Sequence, residues 1–511
     1  MTHPCNILFI TADQWRGDCL SARNHACVKT PNLDALAADG VLFAQHYCQA
    51  VPCGPSRASL HTGQYLMNHR SGTNGTPLDR RHVNWAQVMR AAGYDPVLFG
   101  YTDTTPDPRD YPADHPALTD YEGVLPGITV KVLLTANISA WAQWLAERGY
   151  EIPVRQQDLY RTKEDQPEWE EGGPGPAALR IPAEHHDTFF MTDQVIDYVR
   201  EQAEQGSPWI AHLSYLRPHP PWIAPAPYNT LYHPDGLPAF VRAASPEAEA
   251  AQHPWLAWQL AQRPFQVSGN ELRLRRLQAA YFGLMTEVDD NIGRLIAALR
   301  ASGEYDNTLI IFTSDHGEQM GDHWLLGKTG YFDQSYHIPL IVRDPRATAD
   351  VTRGHVVTQF TENVDIMPTM LDWLDLEIPH ACDGESLRPF LSSLLGPTRW
   401  RNAAHWEYDF RDPVAGDVER DLDLPMHACA LNVVRDGRYK YVHFAGLPAL
   451  LFDLRDDPYE VNNLADNPDH AAVVLEYAQR MLSWRMRHDE QTLTHHVATP
   501  KGMSARRGAR W

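Results

Sequence analysis

The 511-residue chain has no hydrophobic run that approaches the ~20 residues needed to span a bilayer. Its first residues, MTHPCN, contain neither a basic region nor a long apolar stretch, so they do not have the features of a secretory signal. Both absences lead us to expect a cytoplasmic protein that does not interact with membranes.

No Cys-x-x-Cys pair occurs in the chain, so a structural zinc site is not expected. The number of cysteines is odd and their spacing is irregular, which predicts reduced thiols rather than disulfides. The seven cysteines are Cys5, Cys19, Cys27, Cys48, Cys53, Cys382 and Cys429.

Positive charge is scarce, since 44 Lys and Arg residues face 65 Asp and Glu residues and the net charge is −21. An acidic surface of this kind repels nucleic-acid backbones and anionic membranes, which excludes nucleic acids as partners. If the substrate is an anion, the site must supply local positive charge, and a metal ion is the simplest source. The length also exceeds what one core usually supports, so we expect more than one domain.

Helices and strands alternate along most of the chain. Strands are predicted at residues 6–12, 95–99, 209–216 and 308–313, with helices at 85–92, 192–205 and 271–302. This order predicts an α/β fold with a mainly parallel sheet and helices on both faces. Residues 107–184 and 217–234 are rich in Pro, Gly and charge or in Pro and His, and we expect loops with little regular structure there.

The pattern changes after about residue 395. Residues 429–434, 438–444 and 450–454 read as short strands, and residues 470–487 as an amphipathic helix. The predicted core contacts of that helix are Val473, Leu475, Tyr477, Met481 and Trp484. We therefore expect a catalytic domain at 1–395, a smaller α+β domain at 396–490 and a basic arm at 491–511. The arm is expected to dock on its own protein or on a second subunit, and disorder is the alternative.

Two pairs of polar residues follow predicted strands directly. Asp13 and Gln14 come after the first strand, and Asp315 and His316 come after the strand at 308–313. Ligands of parallel α/β sheets bind beyond the carboxyl ends of the strands, so we expect these side chains to meet there. Two carboxylates, an amide oxygen and an imidazole suit one divalent cation. The nitrogen ligand favours Mn²⁺, Fe²⁺ or Zn²⁺ over Mg²⁺, and Ca²⁺ remains open because oxygen dominates.

The run VPCGPSRASLHTG at positions 51–63 places Cys53 in unusual surroundings. Its prolines predict an extended segment, and Ser56 is expected to cap the helix that follows. The N-terminus of that helix would direct its dipole toward anything bound near Cys53. Arg57 adds a fork of donors that suits a tetrahedral oxyanion.

The run CGPSR, followed by Thr62-Gly63, resembles the sulfatase motif, in which the cysteine is oxidised to Cα-formylglycine, also called 3-oxoalanine. Residues 6–13 resemble the first metal strand of that family, and TSDHGE at 313–318 with GDH at 321–323 resembles its second metal motif. Lys328 resembles the active-site lysine of the family, and LFDLRDDPYE at 451–460 with Asn463-Leu464 resembles its C-terminal motif. The resemblance covers nearly the whole chain and implies the fold of the alkaline phosphatase superfamily.

Within the family, the chain is most similar to bacterial phosphonate monoester hydrolases, which are also phosphodiesterases. The matching stretches are YLMNHR at 65–70, GYT at 100–102, TTPDP at 104–108, RPHPP at 217–221, EAAQHP at 249–254, YVHFA at 441–445 and TLTH at 492–495.

The resemblance implies a set of roles around one divalent metal ion, for which we expect Mn²⁺. The implied metal ligands are Asp13, Gln14, Asp315, His316 and modified Cys53. The implied catalytic residues are Cys53, Arg57, His219 and Lys328, with substrate contacts from Asn74, Tyr101, His219, Lys328 and the residue at position 103. It further implies a small anionic ester as substrate, a formylglycine-generating maturation enzyme as partner, and a homotetramer whose C-terminal arms join the subunits.

Two features depart from the patterns of relatives. Many sulfatases have a lysine-x-histidine pair where this chain has Tyr101-x-Asp103, and Gln14 and His316 replace an aspartate and an asparagine. Fewer cationic groups favour phosphonate and phosphate diesters over sulfate. Asp103 stands where the phosphonate hydrolases have threonine, and a carboxylate there repels an anionic substrate unless it is paired or protonated.

The mechanism implied by the resemblance begins with a hydroxyl of the aldehyde hydrate attacking phosphorus in line, with Asp315 or Asp13 taking the proton. His219 or Lys328 then protonates the leaving alkoxide, and collapse of the hemiacetal restores the aldehyde. Sulfate esters are expected as minor substrates. Two alternatives remain: a sulfatase for aryl or alkyl sulfates such as choline sulfate, and a non-catalytic scaffold with unmodified Cys53.

Overall fold

A computed structural model describes residues 6–163, 177–262, 267 and 269–506. Its largest unit is an eight-stranded sheet with the strand order β4-β3-β5-β1-β6-β7-β2-β8. The strands are β1 Asn6–Ala12, β2 Val41–Tyr47, β3 Pro96–Gly100, β4 Thr129–Leu133, β5 Ile210–Tyr215, β6 Thr308–Thr313, β7 Leu340–Arg343 and β8 His355–Glu362. Only β7 runs antiparallel to its neighbours, so the predicted mainly parallel sheet is confirmed.

Helices cover both faces of this sheet, as the alternating pattern predicted. The α-helices among the described residues are α1 Pro31–Ala38, α2 Cys53–Thr62, α3 Leu66–His69, α4 Trp85–Ala91, α5 Ser139–Ala146, α6 Asp187–Gln205, α7 Pro246–Ala250, α8 Pro254–Ala261, α9 Glu271–Ser302, α10 Asp333–Tyr336, α11 Ile366–Trp373, α12 Arg388–Ser392, α13 Asp417–Leu422 and α14 Ala471–His488. One core packs α1, α5, α6 and α9 on the first face, and a second packs α2, α4, α11 and α12 on the other.

The central strands owe their position to their apolar runs. Every residue of β1 and of β6 is buried, as expected for parallel strands covered by helices on both sides. β1 lies between β5 and β6 and is parallel to both. Their carboxyl ends therefore meet at one edge of the sheet, where residues 13–14, 216–219 and 314–316 follow.

The prediction of little regular structure in residues 107–184 was wrong in part. This stretch contains β4, which pairs with β3 at the edge of the large sheet, and α5, which packs Trp141 and Leu145 into the core. β4 has the sequence TVKVL and is largely exposed, so it lacks the continuous apolar run of a central strand. Pairing with a neighbouring strand decides its structure. Residues 164–176 of the stretch lie outside the described residues.

A second sheet follows in the C-terminal part, with the antiparallel order β12-β11-β10-β9. Its strands are β9 Ala404–Asp409, β10 Ala430–Arg435, β11 Tyr439–Phe444 and β12 Leu450–Asp453. Tyr477 and Met481 of α14 pack on one face of the sheet, while Leu475 is 60% exposed, so its predicted core position was wrong. The α+β character is confirmed, and the domain boundaries remain a prediction.

The last described residues form a separate hairpin of β13 His496–Thr499 and β14 Gly502–Ala505. The basic arm extends beyond it to residues 507–511, which lie outside the described residues, as does Cys5. The other six cysteines form no disulfide among the described residues, and the reduced state of the thiols remains a prediction. Among the described residues, none of the helices combines the length and the apolar character needed to cross a membrane.

Candidate active site

The carboxyl edge of the large sheet brings the predicted metal ligands together. Ligand atoms of four buried residues lie within 4.8 Å of one another, and these residues are Asp13, Cys53, Asp315 and His316. Cys53 reaches this edge because it is the first residue of α2. The positive end of the helix dipole therefore lies at Cys53, as predicted.

The orientation of these side chains fits a divalent cation. His316 Nδ1 lies 3.0 Å from the carbonyl oxygen of Gly317, which fixes Nε2 as the free nitrogen. That Nε2 lies 3.2 Å from Cys53 Sγ and 3.8 Å from Asp13 Oδ1. Asp13 Oδ1 is buried and has no hydrogen-bond partner among the described residues. A buried carboxylate oxygen without a partner and an imidazole nitrogen in contact with Cys53 Sγ thus face one space.

Gln14 is held in a strained backbone conformation, with φ of 69° in the left-handed region. Its side-chain nitrogen donates a hydrogen bond to the Glu318 carboxylate, and its Oε1 accepts one from Lys328 Nζ at 2.6 Å. The main-chain N–H of Gln14 donates to Asp315 Oδ1 at 3.1 Å. Glu318 therefore fixes which way the amide of Gln14 points.

Arg57 is completely buried behind the two carboxylates. Its Nε donates to Asp315 Oδ2 at 3.0 Å, and a terminal nitrogen donates to Asp13 Oδ2 at 3.1 Å. The other terminal nitrogen donates to Ser214 Oγ at 2.9 Å and to the carbonyl oxygen of Tyr101 at 3.2 Å. Arg57 thus holds both carboxylates in place, and its direct contact with a substrate oxygen remains a prediction.

The predicted helix cap at Ser56 was wrong. Because α2 already begins at Cys53, Ser56 lies in its first turn, and its Oγ donates to the carbonyl oxygen of Asp315 at 2.5 Å. The predicted substrate contact Asn74 instead accepts a hydrogen bond from the N–H of Gly54 at 2.9 Å. Asn74 therefore satisfies one of the free donors at the start of this helix.

Tyr101 and Asp103 flank Arg57. The Tyr101 hydroxyl donates to the Asp13 carboxylate, and its ring centre lies 4.2 Å from the Arg57 guanidinium carbon. Asp103 has φ of 45° and places Oδ2 3.8 Å from Arg57 Nε. Burial raises the pKa of Asp103 to about 8, although the Arg57 charge opposes this shift.

The pKa of Asp13 is set by burial and by the charged groups around it. Burial alone would favour the neutral acid at Asp13, but the charges of His219 and His316 when they are protonated, and the permanent charges of Arg57 and Lys328, hold the pKa of Asp13 far below its usual range. Asp13 is therefore ionised, which a cation ligand requires.

His219 lies on the loop after β5. Burial and the nearby charge of Lys328 lower the pKa of His219 to about 3, so the imidazole is neutral in this state. The pKa of Lys328 is raised: burial opposes this, but the acidic groups around it prevail. Arg217 donates to the carbonyl oxygen of His219 at 2.7 Å and pairs with Asp187 at 2.9 Å, which fixes the loop.

The sequence analysis missed several residues that take part in this arrangement. Glu318 lies inside the quoted run TSDHGE, two positions after His316, so its place in a metal motif was a usable signal. Ser214 lies near the carboxyl end of β5 and could have been found the same way. Tyr121 and Glu122 come from a loop and lie near Asp103 only through the packing of that loop, for which the sequence gives no signal.

Comparison with known proteins places this site in a family. The sulfatase family model matches residues 5–376, and a model described as the C-terminal part of N-sulphoglucosamine sulphohydrolase matches residues 321–487. The multifunctional alkaline phosphatase superfamily protein PehA of Trinickia caryophylli is 44% identical over 518 residues, which cover 98% of this chain and 99% of PehA.

Solved structures of related proteins have the same fold as this chain. The phosphonate monoester hydrolase of Agrobacterium radiobacter superposes with a TM-score of 0.93 at 47% identity, covering 99% of this chain and 100% of that protein. The phosphonate monoester hydrolase of Silicibacter pomeroyi gives 0.91 at 41% identity with the same coverage. A more distant relative is the choline-sulfatase of Rhizobium meliloti, at 27% identity over 94% of this chain and 87% of that protein. With a family model across most of its length and a buried cluster of metal-ligating side chains at the sheet edge, the chain belongs to the sulfatase family of hydrolases, within the alkaline phosphatase superfamily.

Proposed function

We propose that this hydrolase cleaves phosphonate monoesters and phosphodiesters, with sulfate esters as minor substrates. The observation that carries the proposal is one buried cluster of Asp13, Cys53, Asp315 and His316 in a chain that matches phosphonate monoester hydrolases along its full length. One ion suits monoanionic esters, whereas two-metal sites clamp both the attacking and the leaving oxygen.

Four side chains and the modified Cys53 would hold the ion. These ligands are Asp13, Gln14, Cys53, Asp315 and His316. When bound, the ion supplies Lewis-acid charge to the reacting centre, and the imidazole ligand favours Mn²⁺ over Mg²⁺. Converted to formylglycine by a maturation enzyme, Cys53 supplies a hydrated aldehyde whose hydroxyl acts as the nucleophile.

The other residues act on charge and protons around the substrate. Lys328 carries its proton next to Gln14 and attracts the anionic group of the ester. Because Nδ1 of His219 lies 2.9 Å from the carbonyl oxygen of Pro220, its Nε2 takes a proton from solvent as the substrate anion binds and donates it to the leaving oxygen. Arg57 keeps the two carboxylates oriented through its hydrogen bonds to both.

We also propose a cytoplasmic location, because the odd number and irregular spacing of the seven cysteines are typical of thiols kept reduced. We further propose a homotetramer in which the hairpin of β13 and β14 contacts neighbouring subunits. Support for that contact comes from Val497 and Met503, which are 61% and 69% exposed in the single chain.

The test is a side-by-side measurement of kcat/KM on a phenylphosphonate monoester, a phosphodiester and an aryl sulfate, each with 4-nitrophenol as leaving group. The proposal predicts that the phosphonate and phosphate esters are turned over at least about tenfold more efficiently than the sulfate. A preference for the sulfate would make the enzyme a sulfatase, the alternative that the 27% identical choline-sulfatase supports.

A further inference from the structure

Asp103 is the predicted site residue for which the proposed chemistry has no use. It is 5% exposed, and its only described cationic neighbour, Arg57, already donates to Asp13 and Asp315. Asp103 Oδ1 has no hydrogen-bond partner among the described residues. A buried carboxylate oxygen without a partner costs free energy, so a cationic group bound beside it would be stabilised.

Glu122 adds a second carboxylate to the same side of the site. The segment that carries it packs against residues 102–105: the N–H of Thr104 donates to the carbonyl oxygen of Gly123 at 2.9 Å, and the N–H of Leu125 donates to Thr102 Oγ1 at 2.8 Å. Glu122 accepts a hydrogen bond from the N–H of Ala136 at 2.8 Å and has no ion pair among the described residues. Burial is the main cause of the raised pKa of Asp103, and the charge of Glu122 adds to it. The two carboxylates therefore act on one region of the site.

Tyr121 supplies an aromatic ring beside these carboxylates. A Cβ atom added to Gly75 would lie 3.8 Å from Tyr121 Cβ, which places the tyrosine next to the loop that holds Asn74. Its side chain is 42% exposed. Burial raises the pKa of Tyr121, and the charges of Glu122, Asp103 and Cys53 raise it further. The ring therefore lies close to the two carboxylates and is partly open to solvent.

A cavity of about 400 Å³ joins this loop to the proposed proton donor, since Tyr121, Glu122 and His219 all line it. Among the described residues, no ion pair joins Glu122 to the other charged residues of the lining. Arg161 pairs with Asp158 at 3.2 Å, and Arg155 is exposed. The organic group of an ester bound at Cys53 can enter this cavity, where it would meet a carboxylate and an aromatic ring.

We propose that this face of the active site binds a positively charged nitrogen in the organic group of the substrate. Glu122 would supply negative charge, Asp103 would add its own by releasing its proton to solvent as the cation binds, and Tyr121 would offer its ring to the cation. The substrate class is then phosphodiesters and phosphonate monoesters of amino alcohols or quaternary-ammonium alcohols. This inference rests on the proposed function, because it names the substrate class of the same site.

The experiment compares two phosphodiesters that differ in one atom and one charge. The first is 4-nitrophenyl phosphorylcholine, and the second is 4-nitrophenyl 3,3-dimethylbutyl phosphate, in which carbon replaces the ammonium nitrogen. Both release 4-nitrophenol, so kcat/KM is measured in the same assay on the metal-loaded enzyme. We expect the ammonium ester to be preferred by about tenfold or more, the scale of a desolvated cation–π contact combined with ionic attraction.

Variants locate the origin of this preference. Asp103→Asn, Glu122→Gln and Tyr121→Leu are each expected to lower the ratio of the two kcat/KM values toward one. Glu147→Gln is the matched control, because it removes the same charge from an exposed position outside the cavity and is expected to keep the wild-type ratio. The wild-type ratio and Glu122→Gln, on a surface loop, still decide the question if buried Asp103→Asn does not fold.

Three outcomes are distinguishable. A large wild-type ratio that falls in the Asp103 and Glu122 variants supports the inference. A ratio near one, with both esters turned over, overturns the inference while the proposed function stands. Failure to hydrolyse either diester, by an enzyme with its metal and formylglycine in place, overturns the proposed function and the inference with it.

Discussion

The Nε2 atom of His316 lies 3.2 Å from the Sγ atom of Cys53, although 263 positions separate the two residues in the chain. The first belongs to the turn after β6 and the second begins α2. This contact joins the motif that contains His316 to the motif that contains Cys53. The Nε2 atom of His316 faces Cys53 Sγ, the atom that maturation would replace. The proposed metal site and the proposed nucleophile therefore form one unit.

The first prediction concerns the metal. His316→Ala removes the nitrogen ligand and is expected to lower metal affinity by at least about 100-fold, with a parallel loss of activity. Metal content by mass spectrometry and kcat/KM on a phosphodiester check this, before and after chelation. His427→Ala, at an exposed position away from the cluster, is the control. Full metal content in His316→Ala would remove His316 from the ligand set.

The second prediction concerns Arg57. Lysine keeps the charge at this position but has one nitrogen in place of the two that donate to Asp13 and Asp315, so Arg57→Lys leaves a buried carboxylate poorly paired. We expect a loss of about 3 kcal/mol in the free energy of unfolding in urea, together with reduced metal content. Arg81→Lys, whose side chain is 62% exposed, should change neither. Wild-type stability in Arg57→Lys would contradict the role of Arg57 in holding the two carboxylates.

The third prediction separates proton donation by His219 from simple binding. His219→Ala should slow esters with poor leaving groups more than esters with good ones, because only the former need protonation of the departing oxygen. A series of aryl phosphodiesters with graded leaving-group pKa gives the slope directly. The expected result is a steeper slope in the variant than in the wild type. An equal loss across the series would leave His219 as a binding residue.

The fourth prediction tests the corrected core of α14. Trp484 is 1% exposed and stacks on His405 with ring centres 4.5 Å apart, so Trp484→Ala is expected to cost about 3–5 kcal/mol of stability. Leu475→Ala, on the exposed side of the same helix, should stay within about 0.5 kcal/mol of the wild type. Thermal and urea unfolding measure both. A large effect at Leu475 would mean that a second subunit covers this side.

The central fold was predictable because its signals are continuous in sequence. β1 and β6 are buried on both faces and read as unbroken apolar runs, and α9 begins and ends where the sequence predicted. Asn270 caps its start, and Gly303, with φ of 78°, ends it. β4 gave no such signal, since an exposed edge strand with a lysine at its centre depends on β3 for its structure.

In the site too, some features could be predicted from the sequence and others could not. The sequence could predict that two pairs of polar residues lie close together, because each pair directly follows a strand and the strand ends meet. These pairs are Asp13 with Gln14 and Asp315 with His316. The sequence could not predict the hydrogen bonds that join Arg57, Asn74 and Tyr101 to neighbouring protein groups. These bonds depend on contacts between distant segments of the chain. The same holds for Glu122, whose loop is positioned by main-chain hydrogen bonds to residues 102–105.

Mass spectrometry of one tryptic peptide tests the central claim most directly. Cleavage after Lys29 and Arg57 yields the peptide of residues 30–57, which contains both Cys48 and Cys53. In enzyme matured in its own host and active on a phosphodiester, the account predicts formylglycine at position 53 and an unchanged cysteine at position 48, an internal control. An equally active preparation in which Cys53 remains a cysteine throughout would contradict it.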